Sequence, residues 1–304
     1  MTPTGTDDGA VRTYYGRPVL KAPVWKWPIP VYFFTGGLAG ASASLALAAR
    51  LNGDEALARR ALGVAALAAA ASPPLLIADL GRPERFLNML RVAKPTSPMS
   101  VGTWVVSAFV PTAVGAAACE RTGRLHRVGR VLGAVAGALG PVMCTYTGVL
   151  LADTAVPAWH EAHRELPFVF AGSAMASAGA AAVALSPVDG ADVAIARRLL
   201  AAGVVVEGTA SQVMERAHPD ACAPYRGTGR AAVLARTARA LTVTGTAVAL
   251  TVGRRRRPAA AAGGALVLVG ALCDRLCVSA AGVESARDPR ATIGPQRRRL
   301  TRTG

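Results

Sequence analysis

Eight apolar runs of roughly 20 residues, separated by short charged connectors, constrain this chain of 304 residues more than any other feature. A run of that length crosses the hydrocarbon core of a bilayer as a helix, at about 1.5 Å per residue over about 30 Å. A helix also satisfies its own backbone hydrogen bonds where no water is available. The runs fall at about 30–51, 60–77, 101–119, 128–151, 168–186, 197–214, 232–252 and 259–281, the second and sixth being the least apolar. Their interiors are rich in Ala, Gly and Ser, with small residues four apart at Gly36/Gly40, Gly133/Gly137 and Ala176/Ala180, a spacing that lets helices approach closely in lipid. The expectation is an all-α polytopic transmembrane bundle of about eight spans, without strands. A single bundle would occupy 29–283, after an extended, partly disordered lead-in over 1–28 and before a basic tail over 284–304.

Charge decides between two readings of this chain. A net charge of +16 could mark a nucleic-acid binder, but the cations sit in connectors between apolar runs, as membrane loops are charged. Nucleic acid is therefore excluded and a lipid environment expected. No short apolar segment with a cleavage site precedes the first run, so no cleaved signal peptide is expected. An even number of spans places both termini on one side. About 20 Lys and Arg lie on that side against about 13 on the other, which favours a multi-pass protein of the cell membrane with cytoplasmic termini. Trp25 and Trp27, in the basic, Pro-punctuated lead-in that also holds Tyr14 to Pro18, suit the interfacial belt.

The connector over 79–104 is the most ordered-looking polar stretch. Its Arg, Lys, Pro and Asn content keeps it out of hydrocarbon. Gly81 and Pro83 mark one turn, and Pro95 and Pro98 another. Asp79 is expected to order the first turn by pairing with Arg82 or Arg85.

Polar groups at membrane depth are costly and so are functional candidates. Glu207 lies mid-span, as a proton-relay or quinone-pocket group or as a structural carboxylate bonded between helices. Asp79, Asp153 and Asp274 are placed near span ends, the first two as further relay candidates and Asp274 as a local ion pair with Arg275 near an interface. Tyr32 and Tyr146 lie within the first and fourth spans. The four histidines, His126, His160, His163 and His218, fall in connectors, so haem, which needs axial ligands inside the bundle, is not expected. Cys119, Cys144, Cys222, Cys273 and Cys277 contain no C-x-x-C run, so no iron–sulfur cluster is expected in this chain. Cys273 and Cys277 read as packing residues and His160/His163 as a solvated pair, so no metal is expected.

Three stretches carry a family resemblance. They are Trp27-Pro28-Ile29-Pro30-Val31-Tyr32-Phe33-Phe34-Thr35-Gly36-Gly37, the connector from Asp79-Leu80-Gly81-Arg82-Pro83-Glu84-Arg85-Phe86 through Lys94-Pro95-Thr96-Ser97-Pro98 to Trp104, and Tyr146-Thr147-Gly148. Together they resemble the NrfD/PsrC family of polysulfide-reductase-type membrane subunits, over about 14–299. The resemblance implies a membrane anchor that holds a four-cluster ferredoxin-like iron–sulfur subunit and, through it, a molybdopterin catalytic subunit, and that exchanges electrons with menaquinone or ubiquinone. It places Tyr146 at the quinone headgroup, where a phenol can donate to a carbonyl from an apolar pocket. The family's Asn and His at the start of the first helix fall here on Ile29 and Tyr32. Ile29 cannot hydrogen-bond, and Tyr32 can donate but does not titrate near neutrality. Trp27 and Lys94 complete the expected quinone neighbourhood. Arg82, Arg85 and Lys94 are expected to dock a partner, or else to be snorkelling interfacial cations. A structural anchor without quinone chemistry and a transporter using its intramembrane carboxylates are the alternatives, the latter without the internal repeat such proteins often show.

Overall fold

A computed structural model of the chain describes residues 20–82, 84–189, 194–289 and 291. Pro83, the lead-in before residue 20 and the tail from 292 onward lie outside them. Eleven α-helices and no strand occur among the described residues. They are α1 (Pro28–Leu51), α2 (Glu55–Asp79), α3 (Arg85–Leu90), α4 (Pro98–Thr122), α5 (His126–Ala152), α6 (Pro157–His160), α7 (Leu166–Asp189), α8 (Ala194–Ala217), α9 (Ala223–Arg226), α10 (Arg230–Leu250) and α11 (Arg257–Arg287), with a 3-10 turn at Val252–Arg254 before the last. Eight are long, one for each apolar run.

Local chemistry sets where these helices begin and end. Asp54 caps α2 by accepting the Leu57 N–H at 2.9 Å, satisfying an otherwise orphaned first-turn donor. Proline opens α1, α4 and α11, where its missing N–H costs nothing. Gly123, at φ +62°, closes α4 in the left-handed conformation that suits glycine. The helices also run past the apolar runs, α11 continuing from 281 to Arg287. His126 and His160, expected in connectors, are the first residue of α5 and the last of α6.

Among the described residues six helices, α1, α2, α4, α5, α7 and α11, are long and apolar enough to cross a membrane, so the protein is multi-pass. The second, expected to be weak, meets this test. The helices that fall short are α8 and α10, at 24 and 21 residues. Both carry several arginines, yet both turn large apolar side chains outward at Val205 and Val243, as α2 and α5 do at Leu67 and Val131.

The long helices form two groups of four. In one, α1 packs on α2 and α5, and α4 on α5 and α2; in the other, α7 packs on α8 and α11, and α11 on α10. The halves join where α1 and α5 meet α7, and α1 meets α11. Small residues decide the closest crossings. A Cβ on Gly40 of α1 would stand 2.7 Å from the Gly140 carbonyl of α5, and Gly172 and Gly203 do the same for α7 against α8. At the α1/α5 crossing Pro141 offers no N–H to the Gly137 carbonyl one turn below. Ser44 supplies it instead, donating from Oγ at 2.9 Å.

Both ends of the bundle are tied. At one, Arg50 of α1 donates to both carboxylate oxygens of Glu120 of α4, at 3.1 and 3.2 Å, and pairs with Glu55 of α2. At the other, Trp159 of α6 stacks on Trp25 of the lead-in, with centroids 5.5 Å apart, and donates from Nε1 to the Val278 carbonyl of α11 at 2.9 Å.

Candidate functional site

The α2–α4 connector is fastened down over the first half of the bundle. Gly81 leaves α2 at φ +68°, a conformation open to glycine at no steric cost. The short α3 follows. Ser100 then donates to the Val92 carbonyl at 2.7 Å and accepts the Lys94 N–H at 3.0 Å, while Trp104 Nε1 donates to the same carbonyl at 3.2 Å. This fold-back lays Phe86, Met89 and Met99 over the ends of α1, α2, α4 and α5.

Under it lies a cavity of about 110 Å³. Ile29, Tyr32 and Phe33 of α1, Leu76 and Asp79 of α2, Thr103 and Val106 of α4, and Tyr146 and Leu150 of α5 form its walls, with Trp25 at the side. The walls are mostly apolar, with two phenols, one carboxylate and the Thr103 hydroxyl as polar points, the composition of a site for a flat, largely apolar ligand. Tyr32 is 1% exposed and its hydroxyl has no partner among the described residues. A buried hydroxyl left unpaired costs free energy that a ligand acceptor would recover. Tyr146, also buried, holds its position because residue 102 is glycine: a Cβ there would stand 2.5 Å from its Cε2.

The structure thus brings together Tyr32, Tyr146 and Asp79, which the sequence separates widely. It corrects three expectations nearby. Trp27 is 68% exposed at the start of α1, and Trp25 takes the place in the wall expected for it. Lys94 is exposed and away from the cavity lining; its backbone, not its ammonium, is the engaged group. Asp79 pairs with neither Arg82 nor Arg85 among the described contacts; its Oδ1 accepts the Lys26 N–H at 3.0 Å, sealing the lead-in against α2. Arg82 and Arg85 project from the connector, exposed. Asp153 follows α5 as its exposed C-terminal cap. Phe86, Met89 and Met99 were not singled out by sequence, because apolar residues inside a polar connector carry no periodic signal.

Glu207 lies elsewhere, in a second cavity between α7, α8, α10 and α11. Asp274 lines it too, which overturns its placement near a span end. The extension of α11 to Arg287 sets residues 274 and 275 near the middle of the helix, and Arg275 is 2% exposed. The ion pair between them is present, with Arg275 Nη1 3.5 Å from Asp274 Oδ2. At the end of this cavity, past α8, burial pushes the Cys222 thiol up to about 12, with the nearby Glu215 carboxylate adding to the effect. Burial likewise holds the Tyr225 phenol well above the ordinary tyrosine range.

A family model described as polysulphide reductase, NrfD, matches residues 18–216, more than half of the chain. The match contains every residue of the first cavity and ends as α8 does, so Tyr225, Arg239, Asp274 and Arg275 lie beyond it. No curated protein matches the chain.

Proposed function

The chain belongs to the NrfD family, membrane subunits of oxidoreductase complexes, and on that premise we propose that its first cavity exchanges electrons between a partner iron–sulfur subunit and membrane quinone. The observation that carries this reading is the meeting of Tyr32 and Tyr146 in one apolar cavity at the end of the bundle, under a fastened lid. A quinone headgroup is a flat ring with two carbonyl acceptors, and the unpartnered Tyr32 hydroxyl and the Tyr146 phenol are donors of the kind those acceptors need. Converting menaquinone or ubiquinone to its quinol takes up two electrons and two protons. The electrons come from the partner's nearest cluster, and oxidation of the quinol returns both. Asp79 adds one carboxyl to the same wall.

Association with partner subunits of an oxidoreductase complex follows from the family. We assign the partner as a four-cluster ferredoxin-like protein bridging to a molybdopterin catalytic subunit, seated on the connector. There Arg82, Arg85 and Lys94 present three exposed cations to partner carboxylates. The host is the cell membrane, with both termini on its cytoplasmic side.

The test is purification of the tagged chain in mild detergent, with mass spectrometry of co-purifying proteins and extraction of lipids for quinone. Recovery of an iron–sulfur subunit with quinone, and less quinone on an otherwise intact complex in Tyr146→Phe, is the expected result. An intact complex without quinone would make the chain a structural anchor, in keeping with Ile29 at a position where the family places a hydrogen-bonding residue. A protein free of both would overturn the reading.

A further inference from the structure

The second cavity, of about 280 Å³, lies in the half of the bundle that the quinone reading does not use. Its polar wall comprises Glu207 and Glu215 of α8, Tyr225 of α9, Arg239 of α10 and Asp274 of α11. These groups are unevenly matched. Glu215 is taken by two cations: it pairs with Arg226 at 3.5 Å and accepts a hydrogen bond from Arg239. Deeper in, Glu207 and Asp274 line the same wall, and Asp274 Oδ2 lies 3.5 Å from Nη1 of one buried cation, Arg275. One of its guanidinium nitrogens, Nη2, is spent on the Phe170 carbonyl at 2.9 Å.

Arg239 also acts on Asp274, but its guanidinium is largely exposed and bonded to Glu215, so the two buried carboxyls face a single buried guanidinium, and a buried charge without its own counter-ion is expensive. Carboxyl groups that share a site relieve this by keeping a proton between them. The cavity also offers that proton a route. Among the described residues the Tyr225 hydroxyl, in a side chain 6% exposed, has no hydrogen-bond partner, and Asp274 Oδ2 has none beyond its ion pair with Arg275. Polar, roomy cavities with such orphaned groups hold water.

We propose that this cavity is a proton-exchange site, in which the Glu207–Asp274 pair holds one exchangeable proton beside Arg275 and water links the pair past Tyr225 and Glu215 to the end of the bundle. α10 presents Arg239 toward Asp274, its guanidinium largely exposed and bonded to Glu215. α7 presents Ser173 and the Phe170 carbonyl, neither titratable. α5 presents Cys144 toward Arg275. α11 adds Cys273 and Cys277, and the segment after α8 adds Cys222 and Arg226. His218, after α8, pairs with Glu165 at 3.6 Å. None of these supplies a second buried cation.

The proposal is independent of what fills the first cavity, and infrared spectroscopy of the full-length protein in lipid films tests it without added quinone. A protonated carboxyl shows a C=O stretch clear of the amide bands, which moves down in D2O. Such a band is expected near neutral pH, lost in Glu207→Gln or Asp274→Asn and retained in Glu215→Gln. The shortened and lengthened carboxylates Glu207→Asp and Asp274→Glu should shift the band without abolishing it, which keeps the assignment testable if an amide variant fails to fold. Absence of the band in the wild type from mildly acid to mildly alkaline pH, or its persistence unshifted in all four variants of the pair, would show a fixed ion cluster and overturn the proposal.

Discussion

The guanidinium of Arg275 lies 3.7 Å from the ring centroid of Phe170 and donates to the carbonyl of that same residue at 2.9 Å. One cation is thus clamped to α7 through both the face and the backbone of a single phenylalanine. Phe170 in turn packs edge-on against Phe33, with centroids 5.9 Å apart, and Phe33 against Trp25 at 6.3 Å. Phe33 and Trp25 line the first cavity, while Asp274, the other partner of Arg275, lines the second. The wall between the two cavities is therefore this aromatic and cationic stack, built at the seam between the two halves of the bundle.

Replacing Arg275 should be costly, because it strands buried carboxyls. Removing one partner of a buried ion pair costs about 3–5 kcal/mol, and Arg275→Met is expected to lower thermal stability in detergent accordingly. Adding Asp274→Asn to that variant should restore part of the loss. An Arg275→Met protein as stable as the wild type would show that the cluster does not hold α7 to α11.

Tyr146→Phe removes one hydroxyl and keeps the ring. A hydrogen bond is worth about 0.5–1.5 kcal/mol, so quinone affinity should fall by about 2–10-fold. Gly102→Ala should fall further, since its Cβ would stand 2.5 Å from Cε2 and 2.9 Å from Cδ2 of Tyr146 and must push the whole ring into the cavity. Quinone titration of the two variants against the wild type ranks them. Equal affinity in all three would remove Tyr146 from the site.

Asp79 has two separable tasks. As the acceptor of the Lys26 N–H it anchors the lead-in, and Asp79→Ala should speed tryptic cleavage at Lys26 while Asp79→Asn, which keeps an acceptor, should not. As the ionisable group in the cavity wall it should matter to turnover in both variants. If Asp79→Asn exchanges electrons with quinone at the wild-type rate, its role is the anchor alone.

The α7/α8 crossing tolerates no side chain at Gly172 or Gly203, where a Cβ would run into the facing backbone. Forcing extra atoms into such a contact costs about 1–3 kcal/mol, and Gly203→Val should cost at least that in thermal unfolding. Gly63 and Gly208, with open space around their Cβ positions, are the matched controls and should change little.

Thiol reactivity should separate the cysteines outside the closest packing. Cys222 is fully buried and pushed up to about 12, so at pH 8 it holds almost no thiolate, the reactive form. Cys119 is partly exposed. Maleimide at that pH is expected to label Cys119 and leave Cys222 intact in the folded protein, and labelling of both at equal rates would contradict the packing around α9.

Much of the architecture was legible in the chain because hydropathy belongs to consecutive residues. Each of the eight apolar runs became one helix, and the pairs Gly36/Gly40 and Ala176/Ala180 lie on helices that cross closely. The runs are too short as a guide to helix ends, because a cap such as Asp54 starts a helix before its first long apolar stretch and backbone hydrogen bonding carries helices past the last apolar residue. That shift alone moved Asp274 from a presumed end to mid-helix. The connector signalled its importance through Gly81, the prolines and its family pattern, but not the fold-back through Ser100 and Trp104 that makes it a lid.

By itself, then, the sequence determined that this protein is a helical membrane bundle with a structured connector and a few polar groups that must matter at membrane depth. Only the tertiary structure decided which of them meet. Tyr32, Asp79 and Tyr146 converge, Trp27 gives way to Trp25, and Glu207 finds Asp274 and Arg275 from a helix far along the chain. Burial cost is a property of each residue and can be read along the chain. Partnership depends on the rotation and depth of each helix against its neighbours, which backbone contacts at Gly40, Gly140, Gly172 and Gly203 fix between segments that no local pattern connects.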